Sequence, residues 1–151
     1  VKRKNVGYLS DRQITNKFSL RRQYLTINGI THVTLFVEDQ QQALEWYVDK
    51  LGFKVVMDNS DVVPSLRWLT VSPTGNPAMQ VVLHQAHSAE EKSRVGSNLM
   101  TVLSTDDCVA EAKSLKAKGV EIVDPPSEVP WGISCIIRDL YGNPYNLVEP
   151  R

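Results

Sequence analysis

The 151 residues carry 42% hydrophobic side chains and 17 basic against 17 acidic groups. That is enough apolar material for one well-buried globular domain, and too little chain for two ordinary ones. No stretch reaches the roughly 18 apolar residues that suggest a membrane span, and no apolar core or small-residue cleavage site follows the basic start, so neither a transmembrane helix nor a secretory signal is expected.

The chain opens on a basic arm. Residues 1–28 hold Lys2, Arg3, Lys4, Arg12, Lys17, Arg21 and Arg22 against the single acid Asp11, so the remainder is net acidic. Such an arm can bind an anionic partner, or it can be a solvated extension lying on its own acidic domain or on a second copy. It shows no repeated aromatic stacking pattern and no nucleic-acid motif, and the expectation is no nucleic-acid and no membrane partner.

From Ile30 to Val37 the chain reads as an apolar-rich strand. Asp39, with Gln42 three positions on, forms an acidic variant of a capping box, and Leu44, Tyr47, Val48 and Leu51 make one apolar helical stripe. Gly52 sits where a left-handed C-cap is needed. Strands are expected at Phe53 to Met57, Leu66 to Val71 and Met79 to Leu83, with Arg67 and Trp68 on opposite faces of the middle one. The acidic pair Glu90-Glu91, with Lys92 and Arg94, marks a polar linker or short helix.

The same order then repeats. Leu99 to Leu103 is a strand, Asp106 or Asp107 caps a helix ending at Lys118, and Cys108, Ala112 and Leu115 give its weaker apolar stripe. Gly119 takes the place of Gly52. Pro125, Pro126 and Pro130 keep the next stretch out of any helix, and strands follow near Val120 to Val123, Ile133 to Ile137 and Tyr145 to Val148. Gly75-Asn76-Pro77 and Gly142-Asn143-Pro144 recur at the same point of each half. Two βαβββ modules follow from this duplication: an α+β domain over 29–150, with module one at 29–86, a linker at 87–97 and module two at 98–150. Cys108 and Cys135 lack metal-type spacing and read as free thiols of a reducing compartment, so a cytoplasmic location is expected.

With that order in hand, the segments Ile30-Thr31-His32-Val33-Thr34-Leu35-Phe36-Val37-Glu38-Asp39, Ala43-Leu44-Glu45-Trp46-Tyr47 through Leu51-Gly52-Phe53, and Arg138-Asp139-Leu140-Tyr141-Gly142-Asn143-Pro144 through Glu149 resemble the vicinal oxygen chelate superfamily. That superfamily includes glyoxalase, bleomycin-resistance proteins and extradiol dioxygenases. The resemblance implies a curved mixed sheet around a concave cavity with helices on the outer face. It also implies a small-molecule site in the concavity, and a homodimer whose sites lie at or near the contact between copies.

The family pattern places metal ligands on the first and last strands of each module, usually His, Glu or Gln. Here His32 matches the first position. Met100, a thioether that suits soft metals, matches its counterpart in the second module, and Asn146 matches the final-strand ligand. Glu149 lies at an odd offset from Asn146 and so falls on the other strand face. The remaining position is open. One register brings Val82 to it, with Gln80 and His84 on the same face; the other brings Met79, Val81 and Leu83.

This set lacks a charge-neutralising carboxylate, so the expectation is a site with no metal and no cofactor. It would be lined by His32, Thr34, Phe36, Gln80, Val82, His84, Met100, Val102 and Asn146, with Ser104, Val148, Ser134 and Ile136 sharing the faces by alternation. Arg138 either pairs with a ligand's acid group or bridges Asp139 or the turn. Trp131 either closes the mouth or packs ordinarily. The function expected is binding or sequestration of a small amphipathic organic molecule. The alternative is a lyase, isomerase or dioxygenase with a divergent metal site around His32; whether the chain is an enzyme stays open.

Overall fold

The computed structural model describes residues 29–63, 66–73 and 78–151. The basic arm over 1–28 and the turn Gly75-Asn76-Pro77 lie outside the described residues. Strand β1 (His32–Val37) leads through the Asp39 cap into α1 (Gln40–Asp49), then β2 (Lys54–Val63), β3 (Leu66–Ser72) and β4 (Gln80–Gln85). A short helix α2 (Ala89–Ser93) precedes β5 (Thr101–Ser104), α3 (Cys108–Ala117), β6 (Glu121–Val129), β7 (Gly132–Arg138) and β8 (Pro144–Pro150). No helix among the described residues is long and apolar enough to cross a membrane.

Each module forms its own four-stranded mixed sheet, in the orders β1-β4-β3-β2 and β5-β8-β7-β6. In both, the first and last strands of the module pair in parallel, β1 with β4 and β5 with β8, and the other pairs are antiparallel. A parallel pair needs a crossover, and the helix of each βαβββ unit supplies its start. The helices are set by local chemistry: Asp39 Oδ1 accepts from Gln42 N at 2.8 Å, and Asp107 Oδ1 accepts from Ala110 N at 2.8 Å. Asp107, not Asp106, is therefore the second cap. Gly52 and Gly119 follow the two helices at φ 69° and 81°, a backbone that a side chain would strain.

Alternation sorts every strand into a helix face and an open face. Leu35, Val37, Leu69, Val71, Val81 and Leu83 lie on the first helix face, and Cys135, Ile137, Tyr145 and Leu147 on the second, all buried. They join Tyr47, Cys108, Ala112 and Leu115 in one apolar core spanning both modules. The α3 stripe is the one expected. On α1 the buried positions are Gln40, Ala43 and Tyr47, while Val48 stays 38% exposed. The stripe is rotated because Gln40 enters the core as a donor, its Nε2 bonding the carbonyls of Leu83 at 2.6 Å and Arg67 at 3.0 Å.

Several strand limits also differ from expectation. β2 runs on to Val63, and β6 continues through Pro125 and Pro126 to Val129. Both are edge strands, where a missing backbone donor breaks no inner ladder, and the register shifts between Asp124 and Ser127 beside the prolines. β5 is shorter than expected, starting only at Thr101, so Leu99 and Met100 precede it.

Candidate functional site

The open face of module one is a wall of rings and polar groups. β1 and β4 run in parallel with His32 opposite Gln80, Thr34 opposite Val82 and Phe36 opposite His84. Since Val81 and Leu83 are core residues, the register puts Gln80, Val82 and His84 on the open face; Met79, Val81 and Leu83 are not the lining set. Trp68 and Thr70 of β3 share this face. The His32 and Trp68 rings come within 6.1 Å of each other, centroid to centroid, although β4 lies between their strands. Adjacent strands sit about 4.8 Å apart, so the two long side chains lean toward each other over β4. Phe36 meets His84 edge-on at 5.4 Å. Arg67, on the other face, forms a bidentate pair with Asp58 at 2.6 and 2.7 Å.

His84 closes one end of this wall. Its Nε2 lies 3.6 Å from Glu91 Oε1, beyond hydrogen-bond length. Glu91 is locked by a capping box: its Oε2 accepts from His87 N at 2.9 Å and Ser88 N at 3.0 Å, and Ser88 Oγ accepts from Glu91 N. The backbone N–H of Ser88, then that of His87, holds the carboxyl down to about 2.

The open face of module two is more apolar. β5 pairs with β8 so that Val102 faces Asn146 and Ser104 faces Val148, and β7 adds Ser134 and Ile136. Met100 is 47% and Val102 63% exposed. Asn98, just before β5, donates from Nδ2 to the Thr34 carbonyl at 3.3 Å and from its backbone to Asn143 Oδ1 at 3.1 Å, so the start of β5 is tied to the edge of β1. Glu149 projects to the helix side, where Oε2 accepts from Cys108 N at 2.9 Å. It caps α3.

Two expected lining residues are placed differently from the others. Arg138 pairs with neither Asp139 nor the turn: its Nη1 donates to Glu121 Oε1 at 3.0 Å across the β6–β7 ladder. Trp131 sits on the turn between β6 and β7, 59% exposed. Thr70 and Ser134 hold the amides of the site: Thr70 Oγ1 donates to Gln80 Oε1 at 2.8 Å, and Ser134 Oγ to Asn146 Oδ1 at 2.7 Å. Thr70 was legible only as an alternating neighbour of Trp68. A cavity of about 240 Å³, floored by Leu103, Leu115 and Leu147, opens on the helix side of the junction between modules.

The sequence of residues 29–147 matches the model of the glyoxalase/bleomycin resistance protein/dioxygenase superfamily. The chain belongs to that superfamily. A solved superfamily member from Sphaerobacter thermophilus is 33% identical, with a TM-score of 0.71, over 82% of this chain and 98% of the other. TnmS3, an antibiotic binding protein from Streptomyces sp. CB03234, is 31% identical with a TM-score of 0.72, over 85% of this chain and all of its own. An uncharacterized protein of Shewanella frigidimarina is 31% identical over 125 residues, 80% of this chain and 93% of the relative.

Metal-dependent members of this superfamily need a set of donors that converge on an ion, and the side chains at the corresponding places here do not fit one. His32 is a good ligand, but Met100 is soft, Val82 offers no donor, and the oxygens of Gln80 and Asn146 are already accepting from hydroxyls. No carboxylate joins them, and among the described residues no three His, Cys, Asp or Glu side chains are grouped as a metal site requires. Neither cysteine offers an alternative nucleophile. Burial raises the Cys108 thiol, and pushes Cys135 up to about 11, which keeps both protonated at neutral pH.

Proposed function

We propose that this chain binds a small, partly aromatic organic molecule on its open sheet faces, without a metal, and sequesters or carries it. The observation that carries the reading is the ring wall of His32, Trp68, Phe36 and His84, with no carboxylate at the places where relatives hold an ion and the Glu91 carboxylate beside His84 engaged by the backbone N–H groups of His87 and Ser88. Rings of this kind supply large flat contact area, and the interspersed Thr34, Gln80 and Asn146 orient a polar group, the lining that small-molecule sites use. TnmS3, similar in fold and 31% identical, is an antibiotic binding protein, which supports the binding class. The lining in this reading is His32, Thr34, Phe36, Gln80, Val82, His84, Met100, Val102 and Asn146, with Trp131 at the mouth. The protein acts in the cytoplasm as a homodimer.

The test is a thermal-shift screen of amphipathic aromatics and antibiotics, with and without divalent ions, on the full chain. A ligand at 100 times its dissociation constant stabilises the fold by about 2.7 kcal/mol, and His32→Ala or Trp68→Ala should remove that shift. Near-stoichiometric metal in protein purified without chelator, lost in His32→Ala, would instead establish the lyase, isomerase or dioxygenase reading.

A further inference from the structure

Both modules carry the same small device on the same pair of strands. Thr70 of β3 lies opposite Val82 of β4, and its hydroxyl bonds Gln80, two residues before that valine. Ser134 of β7 lies opposite Val148 of β8, and its hydroxyl bonds Asn146, again two residues before the valine. β3 corresponds to β7 and β4 to β8 in the repeat, but the two bonds are offset: Asn146 lies opposite Val102, whose module-one counterpart Thr34 faces Val82, so Gln80 sits one same-face position before the place of Asn146. Both amides lie half-buried on an open face.

Hydrogen-bonding rules fix which end of each amide faces the hydroxyl. Thr70 is fully buried, and a buried hydroxyl proton left without an acceptor carries the full desolvation cost. An amide side chain offers one acceptor, its oxygen, and two donors on its nitrogen. Donation from Thr70 therefore turns the Gln80 oxygen toward β3 and leaves the NH2 pointing away. Ser134 does the same to Asn146. Neither amide nitrogen has a partner among the described residues.

We infer that the open faces each present an NH2 group, of Gln80 and of Asn146, as a hydrogen-bond donor, and so select a ligand bearing acceptor oxygens, carbonyl or carboxylate, over one bearing N–H donors. This rests on the open faces being the ligand site. One cause then accounts for two preferences, because the rotation that offers two donors to an oxygen also withdraws the two oxygens that a cation would need. Sites built around specific donors discriminate strongly, since the wrong ligand leaves those donors unpaired or opposes them with its own.

The experiment uses the full chain and three probes. Coumarin-3-carboxylate carries neighbouring acceptor oxygens on a flat ring, 2-naphthamidine carries donors on a ring of similar size, and Zn2+ reports the availability of oxygen ligands. The variants are Asn146→Asp alone and Asn146→Asp with Gln80→Glu, which exchange NH2 for oxygen with little change of shape; far-UV circular dichroism checks their fold. The expected result is open-face binding of the coumarin at least tenfold tighter than the amidine, with the side-chain NH2 resonances of Gln80 and Asn146 moving on titration. The preference should narrow in the single variant and reverse in the double variant, which should also bind Zn2+ at least tenfold tighter than the original chain. Open-face binding without preference, or with preference for the amidine, would overturn the donor assignment while leaving the open-face binding reading in place. Equal Zn2+ affinity of all three proteins would overturn it without reference to any organic ligand. Failure of both aromatic probes to perturb the open face would count against the binding reading itself.

Discussion

At the scale of single residues, the strongest polar feature of the described structure lies in the core. The Asp139 carboxylate accepts four hydrogen bonds: from Tyr47 Oη at 2.6 Å, Asn143 Nδ2 at 2.8 Å, Tyr141 N at 2.9 Å and Asn143 N at 2.8 Å. Because the Tyr47 proton goes to Asp139, Tyr145 must donate to Tyr47 across their 2.8 Å contact. A directed chain thus joins α1 of module one to β8 and the last turn of module two. Removing its middle hydroxyl takes one of four donors from Asp139 and leaves the Tyr145 proton without its acceptor in a dry core, so Tyr47→Phe should cost about 1–3 kcal/mol in urea unfolding. The chain also sets a pH limit. Burial, with the neighbouring Tyr145 and Asp139, raises Tyr47 well above its ordinary 10.0, and burial raises Tyr145 as well. A group whose folded value is raised contributes stability that is complete below the unfolded value and is lost as pH climbs past it. Stability should therefore fall from about pH 10 upward, and less steeply in Tyr47→Phe. None of this was legible in sequence, where Asp139 entered only as a possible partner for Arg138. Tyr47 and Asp139 are 92 positions apart, and no local pattern reports a contact at that distance.

At the scale of elements, what the sequence revealed was periodic and what it hid was polar or tertiary. The duplicated order, both Asp caps and the glycines behind the helices were legible because each rests on neighbours within four residues. Gln40 was not, since hydrophobic periodicity cannot register a side chain buried for its donors; nor was the β4 register, which depends on pairing with β1 across the whole first module. The caps lead to a direct expectation: Asp39→Ala and Asp107→Ala should each cost about 0.5–2 kcal/mol, measured by thermal or urea unfolding. For α2 the expectation concerns acid. Glu91 is held near 2, below its ordinary 4.5, by the backbone N–H groups of Ser88 and His87. A lowered folded value contributes stability above the unfolded value and loses it as pH falls toward the folded one. Protection of the His87 and Ser88 amides, taken as the exchange rate relative to the intrinsic rate at each pH, should fall between about pH 4.5 and 2, and Glu91→Ala should lack that protection throughout, which amide hydrogen exchange by NMR will report.

At the scale of the whole molecule, one apolar core lies on the helix side of both sheets, while the opposite faces keep half-buried Gln80, His84, Ser134, Ile136 and Asn146 beside the buried Thr70 and Val82. Leu99 at 91%, Met100 at 47% and Val102 at 63% exposure give an exposed apolar segment where β5 begins. Full burial of such side chains is worth roughly 1.5–3 kcal/mol each, and grouped exposure of this kind marks an interaction surface. A contact through that segment would bury it and enclose the faces that a lone chain leaves open, which makes it the place to test the homodimer proposed above. Because the shared core is complete within one copy, the contact and the fold should be separable. Light scattering should find a dimer at micromolar concentration for the original chain, and a monomer for Val102→Glu with an unchanged circular dichroism spectrum. A monomeric original chain would remove the proposed dimer. A Val102→Glu chain that stays dimeric would place the contact elsewhere. If the open faces are enclosed by the second copy, a monomeric Leu99→Glu variant, changed outside the lining, should also bind coumarin-3-carboxylate at least tenfold more weakly than the dimer, since half of the enclosing surface is gone.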